Sequence, residues 1–230
     1  MLHLYSQYVS LMTFFTSQYP SFVEKSIGGR YIAAIHIAPL IRQLNSIFEV
    51  KEIGKSVQGL PIESISFGKG ERKILMWSQM HGNEATTTKA VFDLLNCIAS
   101  GNALADKIVS ECTIKIIPML NPDGAEAYTR VNANGIDLNR DAQELSQPES
   151  VVLRSVYDDF QPDFCFNLHD QRTMYNVGDS RQPATVSFLA PALDPQRSIS
   201  ATRGESMQLI VAINERLQQL IPDQLLLASI

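Results

Sequence analysis

Residues 73–84 read KILMWSQMHGNE. The first seven form a short apolar run bounded by polar residues, the pattern of a strand buried inside a sheet. The run ends on His81, Gly82, Asn83 and Glu84. Residues 85–99 (ATTTKAVFDLLNCIA) follow, with Val91, Leu94, Leu95 and Ile98 on one side of a predicted helix. A buried strand, a polar turn and a helix in succession is the unit from which α/β folds are built.

The pattern continues on both sides. Residues 49–55 (EVKEIGK) and 61–67 (PIESISF) alternate as strands, with Gln58-Gly59 as the turn between them. Before them, 37–48 has helical spacing in Leu40, Leu44 and Ile47. After them, 113–119 (TIKIIPM) reads as a strand, 149–160 as a helix through Val152, Val156 and Phe160, and 163–168 (DFCFNL) as a buried strand. A further strand is expected at 184–189 and a long amphipathic helix at 201–220. Strands alternating with helices imply an α/β sandwich around a mixed sheet. The reading divides the chain into an N-terminal extension, 1–36, and one domain, 37–230.

Composition narrows the function. The 230 residues carry 19 Lys+Arg against 24 Asp+Glu, a net charge of −5, which offers no basic face for nucleic acid. A 45% hydrophobic and 19% charged chain has a packed core. Cys97, Cys112 and Cys165 are too few for a disulfide framework. No window approaches the 18 or so apolar residues of a membrane span. No charge precedes Glu24, but Ser, Gln and Thr interrupt the leading apolar run and no Lys or Arg comes before it. That is not the pattern of a secretory leader, so a cytoplasmic location is expected.

His81 and Glu84, three apart, can face one side of a turn, and imidazole nitrogen and carboxylate oxygen both suit zinc. Gly82 is expected to let the backbone bend between them. One His-x-x-Glu is weak evidence, since capping or surface pairs share the pattern. A third candidate strengthens it: His169, in Phe166-Asn167-Leu168-His169-Asp170, also follows the carboxyl end of an apolar strand. Ligands of open α/β sheets bind on that rim. Two His and one Glu with an open fourth position is a catalytic zinc set. The plainer reading of His169 is a strand-end histidine bonded to Asp170; His3 and His36 are read as structural.

Between the ligands lies Asn121-Pro122-Asp123-Gly124, read as a turn because Pro fixes φ and Gly accepts positive φ. Arg130 and the run Gly135-Ile136-Asp137-Leu138-Asn139-Arg140 follow. Asn139 beside Arg140 offers an amide and a planar fork suited to a carboxylate. The plainer reading pairs Arg130 and Arg140 with Glu126, Asp137 or Asp141 at the surface.

In order, H81-G-N-E84, N121-P-D-G124, the stretch from Arg130 to N139-R140, and N-L-H169 resemble the zinc carboxypeptidase family typified by pancreatic carboxypeptidase A. The resemblance runs from about residue 73 to 170. It implies a three-layer α/β/α sandwich around a mixed sheet, C-terminally incomplete here. It implies one Zn²⁺ held by His81, Glu84 and His169, with Arg130 stabilising the oxyanion formed when zinc-activated water attacks, and Asn139 and Arg140 gripping a substrate's free carboxylate. The implied substrate is a peptide, or an amino-acid-derived molecule with a free carboxylate. Nucleic acid and membrane are not implied partners.

Two departures accompany the resemblance. Asp141-Ala142 follows Asn-Arg where the family has Asn and an aromatic residue. No late strand after His169 carries the family's general-base glutamate; Glu205 and Glu215 read as solvated helix charges, and Tyr175 is too near His169 to be the family's loop tyrosine. The expectation is weak or absent peptidase activity for this chain, and self-association through an exposed sheet edge. Rival readings are an N-acyl amino acid deacylase of the aspartoacylase or succinylglutamate desuccinylase type, a cell-wall peptide hydrolase, a non-catalytic zinc- or peptide-binding domain, and a zinc-free structural domain.

Overall fold

The computed structural model describes residues 17–171, 177, 179–220 and 227–229. His3, Tyr175 and the first part of the expected extension lie outside the described residues. The chain forms two compact units, Met1–Asp170 and Gln171–Ile230.

In the first unit the elements are α1 (Ala34–Arg42), β1 (Glu49–Lys55), β2 (Pro61–Gly68), β3 (Arg72–Ser78), α2 (Thr86–Ala99), α3 (Ala103–Glu111), β4 (Cys112–Ile117), α4 (Pro122–Ala127), α5 (Pro148–Phe160) and β5 (Phe164–Leu168). The strands form one sheet in the order β1-β2-β4-β3-β5. β1 pairs with β2 and β2 with β4 antiparallel, while β3 runs parallel to both β4 and β5. The sheet is therefore mixed, as expected.

Side-chain alternation sends each strand's apolar residues to two different layers. Ile65, Phe67, Ile114 and Ile116 join Val91, Phe92, Leu95 and Ile98 of α2 in one core. Ile62, Leu75 and Ile117 join Val156 in the other, with Trp77, Leu153 and Phe160 packed against it. The sheet is thus covered by helices on both faces. Two elements of this unit were not foreseen. Asn102 caps α3 by accepting the N–H groups of Leu104 and Ala105. α4 occupies residues read as a turn: Asn121 is its N-cap, accepting the N–H of Gly124 at 2.9 Å, and Pro122 sits in its first turn. The left-handed residue is Tyr128 (φ 53°), just after the helix, and not Gly124.

Part of the stretch read as an N-terminal extension is built into this core. Ile27 and Ile32 are buried there. α2 holds the same segment with a polar stripe: Lys89 donates to the Gly29 carbonyl, Asp93 accepts from the Glu24 N–H and the Tyr19 hydroxyl, and Asn96 donates to the Phe22 carbonyl. His36, read as structural, uses Nδ1 to accept the Ala33 N–H at 2.9 Å.

The second unit holds β6 (Val186–Phe188), α6 (Ala201–Leu220) and β7 (Leu227–Ser229), with β6 parallel to β7. Arg203 donates to the carbonyls of Ala190, Arg197 and Ser198. Met207 and Val211 of α6 are exposed, as are Glu205 and Glu215. No helix among the described residues is long and apolar enough to cross a membrane.

Candidate metal centre

β3 and β5 lie side by side, with Trp77 opposite Asn167 and Ser78 opposite Leu168. His81 leaves the end of one and His169 the end of the other, so parallel pairing brings together residues 88 positions apart in a sequence of 230. The turn after β3 is made by Gln79, whose φ is 48°. Gly82, read as the residue that lets the backbone bend between the ligands, is not in the left-handed region. It is required for close approach: a Cβ there would lie 1.9 Å from the carbonyl carbon of Gly124. The loop thus sits directly against α4, and the Asn83 N–H donates to the Thr129 carbonyl at 3.1 Å. Asn121 fastens the neighbouring residue by donating to the Met80 carbonyl.

This packing converges three donors. Nδ1 of His81 lies 2.9 Å from Glu84 Oε1, and Nδ1 of His169 lies 2.8 Å from Glu84 Oε2. The ligand atoms of His81, Glu84 and His169 all fall within 4.8 Å of one another. His81 is 1% and Glu84 8% exposed, while His169 is half-buried, so the group is enclosed yet open on one side. Burial opposes ionisation of Glu84, but hydrogen bonds from His169 and His81 and their charge hold its carboxyl well below the usual carboxylate range.

A fourth residue completes the arrangement, and the sequence reading gave it no functional role. Asp137 Oδ1 lies 3.0 Å from Nε2 of His81. A carboxylate only accepts, so Nε2 keeps its proton toward Asp137, and a metal would be taken at Nδ1 once the proton shared with Glu84 leaves that nitrogen. Asp137 also accepts from Arg130 Nε (3.0 Å) and from the Asn139 N–H (2.9 Å). Burial works against its charge, but the bonds from His81, Arg130 and Asn139 hold its pKa down. Arg130 also places Nη1 3.3 Å from Glu84 Oε1, so its guanidinium borders the ligand group. Asp137 was visible only as a surface partner for arginine; its position two residues before Asn139 was the available signal.

Asn139 and Arg140 differ from these. The Asn139 side-chain carbonyl accepts from Asn167 Nδ2 at 3.4 Å. Arg140 is exposed, and among the described residues its side chain has no hydrogen bond or ion pair. Its neighbour Asp141 is turned elsewhere, accepting from Ser146 Oγ (2.6 Å) and from the Gln147 N–H (3.0 Å). The replacement of the family's Asn-aromatic pair by Asp141-Ala142 therefore ties down the following loop and leaves Arg140 free of Asp141.

The model of the family described as zinc carboxypeptidase matches residues 35–185. The chain belongs to the zinc carboxypeptidase family. Carboxypeptidase SOL1 of Arabidopsis thaliana is 29% identical to it over 147 residues, 56% of this chain and 30% of that protein. Carboxypeptidase 2 of Trichophyton rubrum is 29% identical over 101 residues, 43% of this chain and 19% of that protein. The chain spans a fifth to a third of the length of these relatives. A metallo-carboxypeptidase from Burkholderia cenocepacia shares the fold at 24% identity, with a TM-score of 0.67 over 84% of this chain and 51% of that one. The α/β sheet with helices on both faces is thus the zinc carboxypeptidase fold.

Proposed function

We propose that this zinc carboxypeptidase-family chain binds one Zn²⁺ through His81, Glu84 and His169 and acts on the C-terminal residue of peptides. The observation that carries the reading is the convergence of one ligand atom each from His81, Glu84 and His169 within 4.8 Å of one another. Zinc bonds to these atom types are about 2.0–2.2 Å long, so tetrahedral ligands stand roughly 3.3 Å apart, and small side-chain rotations close the set around an ion. Three protein ligands with one side open is the catalytic, not the structural, pattern.

A bound zinc ion supplies Lewis acidity and a water whose pKa falls to about 7. The chain's own residues supply position and charge. Asp137 keeps the His81 ring in one tautomer and orientation. Arg130, held at Nε by Asp137, keeps Nη1 beside the ligands, where a fixed positive charge stabilises an oxyanion that exists only in the transition state. Arg140 and Asn139 bind the free carboxylate, which sets the register so that only the last peptide bond reaches the reacting centre.

The test uses zinc-reconstituted protein and two ligands, a short peptide with a free C-terminus and the same peptide amidated. The expected result is one zinc per chain, with binding and removal of the last residue only for the free acid. Equal binding of both peptides overturns the carboxylate grip. Release of the acyl group from N-acyl amino acids in preference to peptides replaces the peptidase by a deacylase.

A further inference from the structure

Gln79 occupies a left-handed backbone position at the end of β3, with φ 48°, and is fully buried. Residues with a Cβ rarely adopt this conformation, and Gly or Asn fits it with less strain. A glutamine held there suggests that its side chain is needed.

That side chain joins three segments. Nε2 donates to the Ile32 carbonyl at 2.7 Å and to the Gly82 carbonyl at 2.8 Å. Oε1 accepts from the Thr88 hydroxyl at 2.7 Å. Two carbonyls on one side and a hydroxyl donor on the other leave the amide a single workable orientation. The Gly82 carbonyl belongs to the peptide between His81 and Glu84, and Ile32 belongs to the segment strapped along α2 by Lys89, Asp93 and Asn96. Gln79 thus ties the loop bearing two ligand side chains to a part of the molecule that contributes no ligand.

We propose that Gln79 is a positioning residue for the metal centre: its amide clamps the peptide at Gly82 to the buried carbonyl of Ile32 and so fixes the spacing of His81 and Glu84. The proposal rests on the zinc reading given above. Without the clamp, the Gly82 peptide is held only through the Asn83 N–H, and the two ligands lose part of the geometry they hold before metal arrives.

The experiment measures the zinc dissociation constant by competition with a chromophoric chelator, together with Tm in EDTA and in zinc, for the full chain and for Gln79→Gly. Glycine suits the left-handed backbone, so the substitution removes the amide without adding strain. The expected result is a zinc affinity 10–100-fold weaker, the range seen when outer-shell partners of metal ligands are lost, with a smaller gain in Tm on adding zinc than the wild type shows. A merely structural staple would lower both Tm values equally and leave the affinity within twofold; that outcome overturns the proposal. Should Gln79→Gly fail to fold, Gln79→Asn carries the same test, because its amide is one methylene too short to span both carbonyls. A wild-type chain with no tight zinc removes the metal centre itself, whereas a wild type that binds while the variant binds equally well removes only the role of Gln79.

Discussion

His81 is bonded to both Glu84 and Asp137, both carboxylates also accept from Arg130, and His81 is only 1% exposed, whereas Arg140 stands exposed without a side-chain partner among the described residues. Both groups lie in the motifs that carry the family resemblance. The contrast follows from what each must do. Buried titratable groups are costly unless paired, so residues meant to capture a cation are held by each other beforehand. A residue meant to capture a substrate carboxylate must keep its donors unspent until the substrate arrives. Preparation on the metal side and openness on the carboxylate side are two answers to one desolvation problem.

The sharpest break of that comparison is His169→Ala. It leaves two ligands where three converge and is expected to abolish stoichiometric zinc, as read by metal analysis after gel filtration. A variant that still holds one tight zinc ion would place the ion elsewhere. Next in size is Asp137→Asn, which keeps the shape but lets an amide face His81 and Arg130. Zinc affinity should fall about 10–100-fold, since the tautomer of His81 is no longer enforced. An unchanged affinity would make Asp137 a partner of Arg130 alone.

Arg140→Ala tests the open side. Losing one charge-assisted contact to a carboxylate costs about 2 kcal/mol, or roughly 30-fold in affinity for a peptide with a free C-terminus. Zinc content and Tm should not move, because the Arg140 side chain has no partner among the described residues. A large fall in Tm would show it to be structural.

How much of this was legible in the sequence depends on whether the deciding contact is local. The helices at 86–99 and 148–160 follow from periodicity and the five strands of the main sheet from alternation or short apolar runs, which adjacent residues report directly. α3 escaped although Leu104, Ala105, Ile108 and Val109 form an apolar stripe, because nine residues give that stripe little more than two turns in which to register. Asn121 to Gly124 was misread because a turn and a helix start use the same residues: Asn caps, Pro opens, Gly allows close packing. Gly82 is legible as a place where the backbone can bend, but the close approach that requires a glycine there is not, since the backbone that crowds it belongs to Gly124, far along the chain. Ile27 stands alone between Lys25-Ser26 and Gly28-Gly29, and Ile32 falls before the helical spacing read at 37–48, so no period marked them as core. The role of Asp137 depends on a bond to a residue 56 positions away, which no spacing rule encodes.

The smallest effect expected is a pH dependence of the metal-free protein. Glu84 and Asp137 both have pKa values held below the ordinary carboxylate range in the folded state, against the effect of burial, by bonds to His169, His81 and Arg130. In the unfolded chain these groups return to about 4. A carboxylate with a depressed folded pKa contributes stability that is complete above the unfolded value and is lost as pH falls through the folded one. In EDTA, Tm should therefore be steady with respect to these groups from neutrality down to about pH 5 and then fall as the pH drops further. Glu84→Gln removes one of the two titrations, so its Tm should fall less steeply over that acid range. Arg140→Ala should leave the slope unchanged, since neither carboxylate bonds to that side chain. If Glu84→Gln titrates as steeply as the wild type, the ligand group is not held together by its own charges, and the difference between the prepared and the open side of the site disappears.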